Sequence, residues 1–138
     1  MKTIALILGL VLTTVTGSAQ ESEGVTVTVT IENVLSDEGK VIGSLHTEQT
    51  FMKGPGVANQ QVDAAKGELT LTFENVRKGT FALMLLHDKN ENNRMDFEAN
   101  GMPKENYATS GETTYGPPSF ADSKFEVANE DLEFRIRF

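Results

Sequence analysis

Oxygen-bearing side chains recur at alternate positions in one polar segment of the chain, residues 87–103 (HDKNENNRMDFEANGMP). A hard cation such as Ca²⁺ takes six to eight oxygen ligands at about 2.3–2.6 Å, and a short loop supplies them when alternate residues point inward around a curled backbone. The spacing predicts such a loop. Its expected ligands are the side chains of Asp88, Asn90, Asn92 and Asp96 and the backbone carbonyl of Arg94. The pattern indicates cation binding rather than catalysis.

The loop departs from the usual helix-loop-helix calcium motif at two positions. Asn93 stands where a sharp turn favours Gly, and Asn is the next most tolerant residue of the left-handed region. Ala99 stands where a bidentate Glu closes the ion's shell, so Glu98 or Glu105 is left to complete it. Because residues 81–86 are apolar on both faces, we expect the loop to follow a strand. The alternative is a surface loop built from Asx turns that holds no ion.

The first nineteen residues have the pattern of a secretory signal. Lys2 precedes an apolar run from Ile4 to Leu12, and small residues end at Ala19. The run is too short to span a bilayer, and no second run follows it, so no membrane insertion is expected. Because no Cys is present for a lipid anchor, we expect residues 20–138 to be exported as one domain, periplasmic or extracellular.

Composition excludes several classes of function. Without Lys2 the chain has 11 basic against 20 acidic residues, a formal charge of −9, so nucleic acid and anionic membranes would repel it. The absence of cysteine excludes disulfides, zinc-thiolate sites and a Cys nucleophile. The acidity is compatible with cation binding.

Short segments of alternating hydrophobicity predict an all-β protein. The expected strands are Val25–Ile31, Lys40–Thr47, Glu68–Phe73, Thr80–His87, Lys124–Val127 and Leu132–Phe138. A turn at residues 36–39 predicts that the first two form a hairpin, and residues 53–66 predict a loop with one irregular strand or a helical turn. The fold class expected is a single immunoglobulin-like or transthyretin-like Greek-key β-sandwich of about seven strands. Residues 89–118 form its one long connection, which we expect the ion to organise.

The segment from Leu85 to Phe120 resembles an uncharacterised bacterial family, domain-of-unknown-function family 2141. The family's signature runs roughly HDxNxNGxxDxNxxGxPxExYGFS and is followed by a PPSF-like segment. The matching residues here are His87, Asp88, Asn90, Asn92, Asp96, Gly101, Pro103, Glu105, Tyr107, Ser110 and Pro117 to Phe120. Asn93 replaces the family's Gly. The resemblance implies a small exported β-domain and brings no established activity with it.

A looser similarity covers residues 73–83, which carry Phe73, Val76, Gly79, Phe81 and Leu83 at matching spacing. This segment is similar to a turn of transthyretin-like and carboxypeptidase regulatory-type sandwiches. The resemblance implies an accessory sandwich without catalytic residues, with a positive φ at the Gly.

Three functions from different classes follow from these patterns. The preferred one is a non-catalytic calcium-binding module that serves an unknown envelope or extracellular ligand, or supports the cell envelope structurally. The alternative is a small metal-dependent hydrolase that uses His87 with the loop carboxylates. A sugar-binding module would need an exposed aromatic platform, drawn from Tyr107, Tyr115 and Phe120. His46 is expected on a strand surface, without a role.

Overall fold

The computed structural model describes residues 24–112 and 115–138, and the expected signal segment, residues 1–19, lies outside them. The described chain forms eight strands and one short helix. They are β1 (Val25–Val34), β2 (Lys40–His46), β3 (Ala58–Asp63), β4 (Gly67–Val76), β5 (Gly79–Asp88), β6 (Tyr107–Thr109), α1 (Phe120–Ser123), β7 (Lys124–Val127) and β8 (Leu132–Arg137). In this part of the chain, no helix is long and apolar enough to cross a membrane.

The strands form two sheets, which confirms the predicted all-β sandwich. The smaller sheet has the order β4-β1-β8, in which β1 pairs antiparallel with β4 and parallel with β8. The larger sheet has the order β3-β2-β5-β6, and β7 pairs with the first part of β5. Eight strands are described, where the sequence predicted about seven.

The core lies between the inward faces of the two sheets, as the alternation of residues predicts. Every second residue of β1 from Val25 to Ile31 is buried, and the intervening threonines are partly exposed. The buried apolar residues that meet there include Val27, Val29, Val41, Leu45, Leu71, Phe73, Leu83 and Leu85. β5 therefore runs through the core and is fixed by it along most of its length.

The predicted hairpin of β1 and β2 is wrong, because the two strands lie in different sheets. Val34 and Val41, on either side of the connection, are both buried, and crossing between sheets lets both face the core. Gly39 has a φ of 69° in this connection, and an added Cβ would lie 2.2 Å from the carbonyl oxygen of Asp88. The β1–β2 turn therefore packs directly against the start of the candidate metal loop.

Two strands lie in segments where the sequence predicted no definite strand. β3 is the regular strand within residues 53–66 and pairs antiparallel with β2, from Lys40–Asp63 to Leu45–Ala58. β6 interrupts the long connection of residues 89–118 and pairs with Met84 to Leu86 of β5. Its three residues are too few to show a period, so β6 could not be predicted from the sequence.

The expected positive φ at Gly79 is wrong. In this turn the left-handed residue is Asn75, with a φ of 54°, and Gly79 is absent from the positive-φ residues of the described chain. A Cβ on Gly79 would approach the ring of Phe81 to 3.2 Å. The lack of a side chain at Gly79 therefore serves the packing of the Phe81 ring and not the backbone conformation of the turn.

His46 is buried, with 5% of its surface exposed, so its expected position on a strand surface is also wrong. Its ring meets Phe51 edge-on at 5.9 Å between centroids, because the turn after β2 folds Phe51 back over it. Burial lowers the pKa of His46 below its ordinary value of 6.5, and a hydrogen bond with Thr50 opposes this shift. The unfolded chain therefore binds a proton here more readily than the folded chain.

We expect His46 to make the fold less stable as the pH falls below about 6.5, because a lowered folded-state pKa favours unfolding once the unfolded histidine is protonated. The free energy of unfolding of the His46→Gln variant, measured with urea from pH 8 to pH 5, should approach that of the parent as the pH falls. A difference between the two proteins that stays constant over this range would contradict the assignment.

Candidate functional site

The candidate metal loop begins where β5 leaves the core. Asp88, the last residue of β5, pairs with Lys40 of β2 and is 0% exposed. Its Oδ1 accepts a hydrogen bond from the backbone N–H of Asn92 at 3.2 Å, and its Oδ2 accepts one from Asn93 at 2.8 Å. One buried carboxylate therefore closes the first turn of the loop.

Two further side chains curl the backbone in the same way. Oδ1 of Asn90 accepts from the N–H of Asn92 at 3.3 Å, and Oδ1 of Asn92 accepts from the N–H of Arg94 at 3.2 Å. These are Asx turns, in which a side-chain oxygen bonds the backbone two residues later. Their succession makes the backbone curl that alternate-residue coordination requires.

The curl brings the side chains of Asn90, Asn92 and Asp96 to one point. Nδ2 of Asn90 donates to Asp96 Oδ2 at 2.7 Å, and Nδ2 of Asn92 donates to both carboxylate oxygens at 2.9 Å. Oδ1 of each of these Asn side chains accepts one backbone N–H and keeps a second lone pair that can face an ion. Three of the five residues expected to hold the ion thus converge.

The carboxyl group of Asp96 has a lowered pKa. The main causes are the hydrogen bonds donated by Asn90 and Asn92, and the charges of Arg94 and Lys104 add to them. Because its pKa is lowered from the ordinary value of 3.8, Asp96 stays ionised at a lower pH than a free Asp side chain does. The side chain is thus a carboxylate at any pH near neutrality, as a calcium ligand must be.

Asn93 has a φ of 63°, which confirms the predicted turn at this position. Glu91 is also left-handed, with a φ of 56°. The amide oxygen of Asn93 accepts a hydrogen bond from Lys40 Nζ at 2.6 Å, which ties the turn to β2.

The remaining candidate residues lie around this cluster. Arg94 is linked to the cluster by its backbone N–H, which donates to Oδ1 of Asn92. The role of the Arg94 carbonyl as a ligand stays a prediction. Over residues 24–112 and 115–138, there is no cluster of three or more His, Cys, Asp or Glu side chains suited to a metal ion. The proposed ligand set depends instead on amide and backbone oxygens alongside the carboxylates.

His87 faces the core and lies apart from the three converging side chains. Its Nε2 lies 2.8 Å from the carbonyl oxygen of Glu38, and its ring stacks against Phe138 at 6.3 Å between centroids. Because a carbonyl can only accept, Nε2 carries the hydrogen. The ring therefore holds the β1–β2 turn.

The two glutamates that could complete the ion's shell have different surroundings. Glu98 is exposed and lies in a turn, where its N–H donates to the carbonyl of Met102 at 2.7 Å. Glu105 is buried, and its Oε1 accepts from the N–H of Lys89, the second residue of the loop, at 3.2 Å. The structure therefore places Glu105, and not Glu98, against the start of the loop.

A groove of about 610 Å³ lies beside the loop on the outer face of the larger sheet. Its floor includes Ile42, Met84 and Leu86, and the loop residues Asn93 to Met95 line it together with Tyr107. Of the other aromatic residues considered for sugar stacking, Tyr115 is fully exposed, whereas Phe120 packs against the ring of Phe51. The loop therefore borders the groove directly.

A family model described as "Uncharacterized protein conserved in bacteria (DUF2141)" matches residues 29–135, from within β1 to within β8. The chain belongs to this family. The resemblance seen in residues 85–120 thus extends over most of the DUF2141 sandwich, including the candidate metal loop. No curated protein and no solved structure matches the chain.

We expect Asn93→Gly to be neutral or to raise the free energy of unfolding by at most about 1 kcal/mol, because Gly adopts positive φ without the Cβ penalty. Asn93→Val should lower it by about 1–2 kcal/mol, since a β-branched residue is strained there. Urea unfolding of both variants and of Asn93→Ala measures the effect, and the Ala variant should lie between them. A Val variant as stable as the parent would show that residue 93 is not at the turn.

Proposed function

We propose that the loop from Asp88 to Asp96 binds Ca²⁺. The observation that carries this proposal is the convergence of Asn90, Asn92 and Asp96 on one point, above a buried Asp88 that closes the turn. All the proposed donors are oxygens, which are the ligands of hard cations. The DUF2141 match covers the whole loop but assigns no activity to it.

Ca²⁺ fits this donor set better than Mg²⁺. Mg²⁺ requires near-ideal octahedral geometry at about 2.0–2.1 Å and loses its water reluctantly, whereas Ca²⁺ tolerates irregular shells and longer distances. The loop offers side-chain amides, a backbone carbonyl and carboxylates on a curled segment with two left-handed residues, Glu91 and Asn93. Such a shell is irregular, which favours the larger ion.

We further propose that the protein is an exported, non-catalytic module that binds a ligand or supports the cell envelope. The groove beside the loop supports a binding role, since calcium would order residues 93–95 and so fix one wall of the groove. The burial of His87 and its bond to the Glu38 carbonyl support the non-catalytic reading over the hydrolase alternative.

We expect Ca²⁺ to raise the melting temperature of the exported domain and Mg²⁺ to do so poorly. For a Kd of about 10⁻⁴ M and roughly 1 mM free ion, mass action contributes about 1.4 kcal/mol. For a domain of this size, this is a shift of a few degrees in Tm. Thermal melts in calcium, magnesium and EDTA measure it, and identical melts in calcium and EDTA would refute the proposal.

We expect Asp88→Ala and Asp96→Ala to abolish the calcium-dependent part of the stability, because each removes charge and a ligand. Ser110→Ala and His46→Ala are the controls, since both residues are buried and their contacts are with other segments: Ser110 bonds Leu83 and Ser123, and the ring of His46 packs on Phe51. Each control should lower the Tm in EDTA while keeping the full rise in Tm on adding calcium. An Asp96→Ala variant that keeps this rise would show that Asp96 is not a ligand.

A further inference from the structure

Glu105 has a buried carboxylate that is only half satisfied. The residue is 7% exposed, and its Oε1 accepts the N–H of Lys89. Its other oxygen, Oε2, is buried and has no hydrogen-bond partner among the described residues. A buried polar atom without a partner costs about 1–3 kcal/mol, and more when the group is charged. A cation beside Oε2 would supply the missing partner.

The charge of Glu105 is also unbalanced within the described chain. In residues 24–112 and 115–138, the ion pairs are those of Arg135 with Glu32 and Glu68, on the other sheet. Asp88 is also buried, and it directly precedes Lys89, whose backbone N–H donates to Glu105. Two buried carboxylates thus lie at the base of the loop, and no side-chain cation of the described residues pairs with either. Burial of charge without a counter-ion is strongly unfavourable.

Hydrogen bonds on both sides hold Glu105 between the two ends of the loop. On one side its carboxylate bonds the N–H of Lys89, next to Asp88. On the other side, the N–H of the preceding Lys104 donates to the backbone carbonyl of Asp96 at 2.8 Å. Glu105 therefore lies beside both the first and the last residue of the proposed ligand set.

We propose that Glu105 completes the calcium shell through Oε2. The loop alone offers one oxygen from each of Asp88, Asn90, Asn92, Arg94 and Asp96, which is below the six to eight that Ca²⁺ takes. Glu105 brings the set to the lower limit of that range and supplies the carboxylate that Ala99 cannot. This inference rests on the proposed calcium site and names the residue that closes it.

The test is calcium titration of the exported domain by calorimetry, with Glu105→Gln as the variant and Glu98→Gln as its matched control. Both variants remove one negative charge from the same connection and keep the side-chain shape. We expect Glu105→Gln to weaken calcium binding at least about tenfold, or roughly 1.4 kcal/mol. Glu98→Gln should change the affinity by less than about twofold, because an exposed charge acts only through a screened field.

Thermal melts of the same proteins distinguish a ligand from a merely structural residue. If Glu105 is a ligand, Glu105→Gln should melt at or above the parent temperature in EDTA, since an uncompensated buried charge is removed, and below the parent in calcium. Equal loss of stability in EDTA and in calcium would overturn the inference. Parental calcium affinity in Glu105→Gln would overturn it and leave the loop site standing, whereas a parent protein that binds no calcium would overturn both proposals.

Discussion

The buried carboxylate of Asp88 joins the β-sandwich to its long polar loop. Its backbone belongs to β5 and pairs with Lys40 of β2, so the core fixes its position. Its two oxygens accept the N–H groups of Asn92 and Asn93 and thereby set the first turn of the loop. Because β5 pairs with β2, β6 and β7, the geometry of the loop depends on the strand that has the most partners among the eight described. A loop held in this way would need little reorganisation to hold the ion that we propose.

Most strands were predictable because their signal is local, whereas their assignment to sheets was not. β1 and β8 alternate apolar and polar residues, and this alternation alone determines which face is buried. The turn between β1 and β2 contains the same residue types whether it closes a hairpin or crosses between sheets. The crossing follows from the burial of both Val34 and Val41, which depends on the rest of the fold. β3 was uncertain because its polar residues at an exposed sheet edge do not alternate.

The candidate site divides in the same way between local and long-range residues. Asp88, Asn90, Asn92 and Asp96 were predicted as ligands from spacing alone, because Asx turns and alternate ligands act within a few residues. The difference between Glu98 and Glu105 was not visible, since both are glutamates in the same polar connection. Glu105 is buried because the chain returns to β5, where the carbonyl of Asn106 accepts the N–H of His87. His46 was misplaced for the same reason, as Phe51 covers it only after the chain has turned.

Contacts within the long connection, residues 89–118, divide it into shorter loops. The hydrogen bonds between Asp88 and Asn93 close one part, and the bridge between Phe97 and Pro103 closes a second. β6 then returns the chain to the sheet. The protein closes several short loops in place of one long one, and each closure is entropically modest. The buried apolar core contains no residue of the loop from 88 to 96, so we expect the proposed calcium site to contribute little to forming the sandwich. The proposed ion would act instead on residues 88–96 and, through Asn93 to Met95, on the groove that these three residues line.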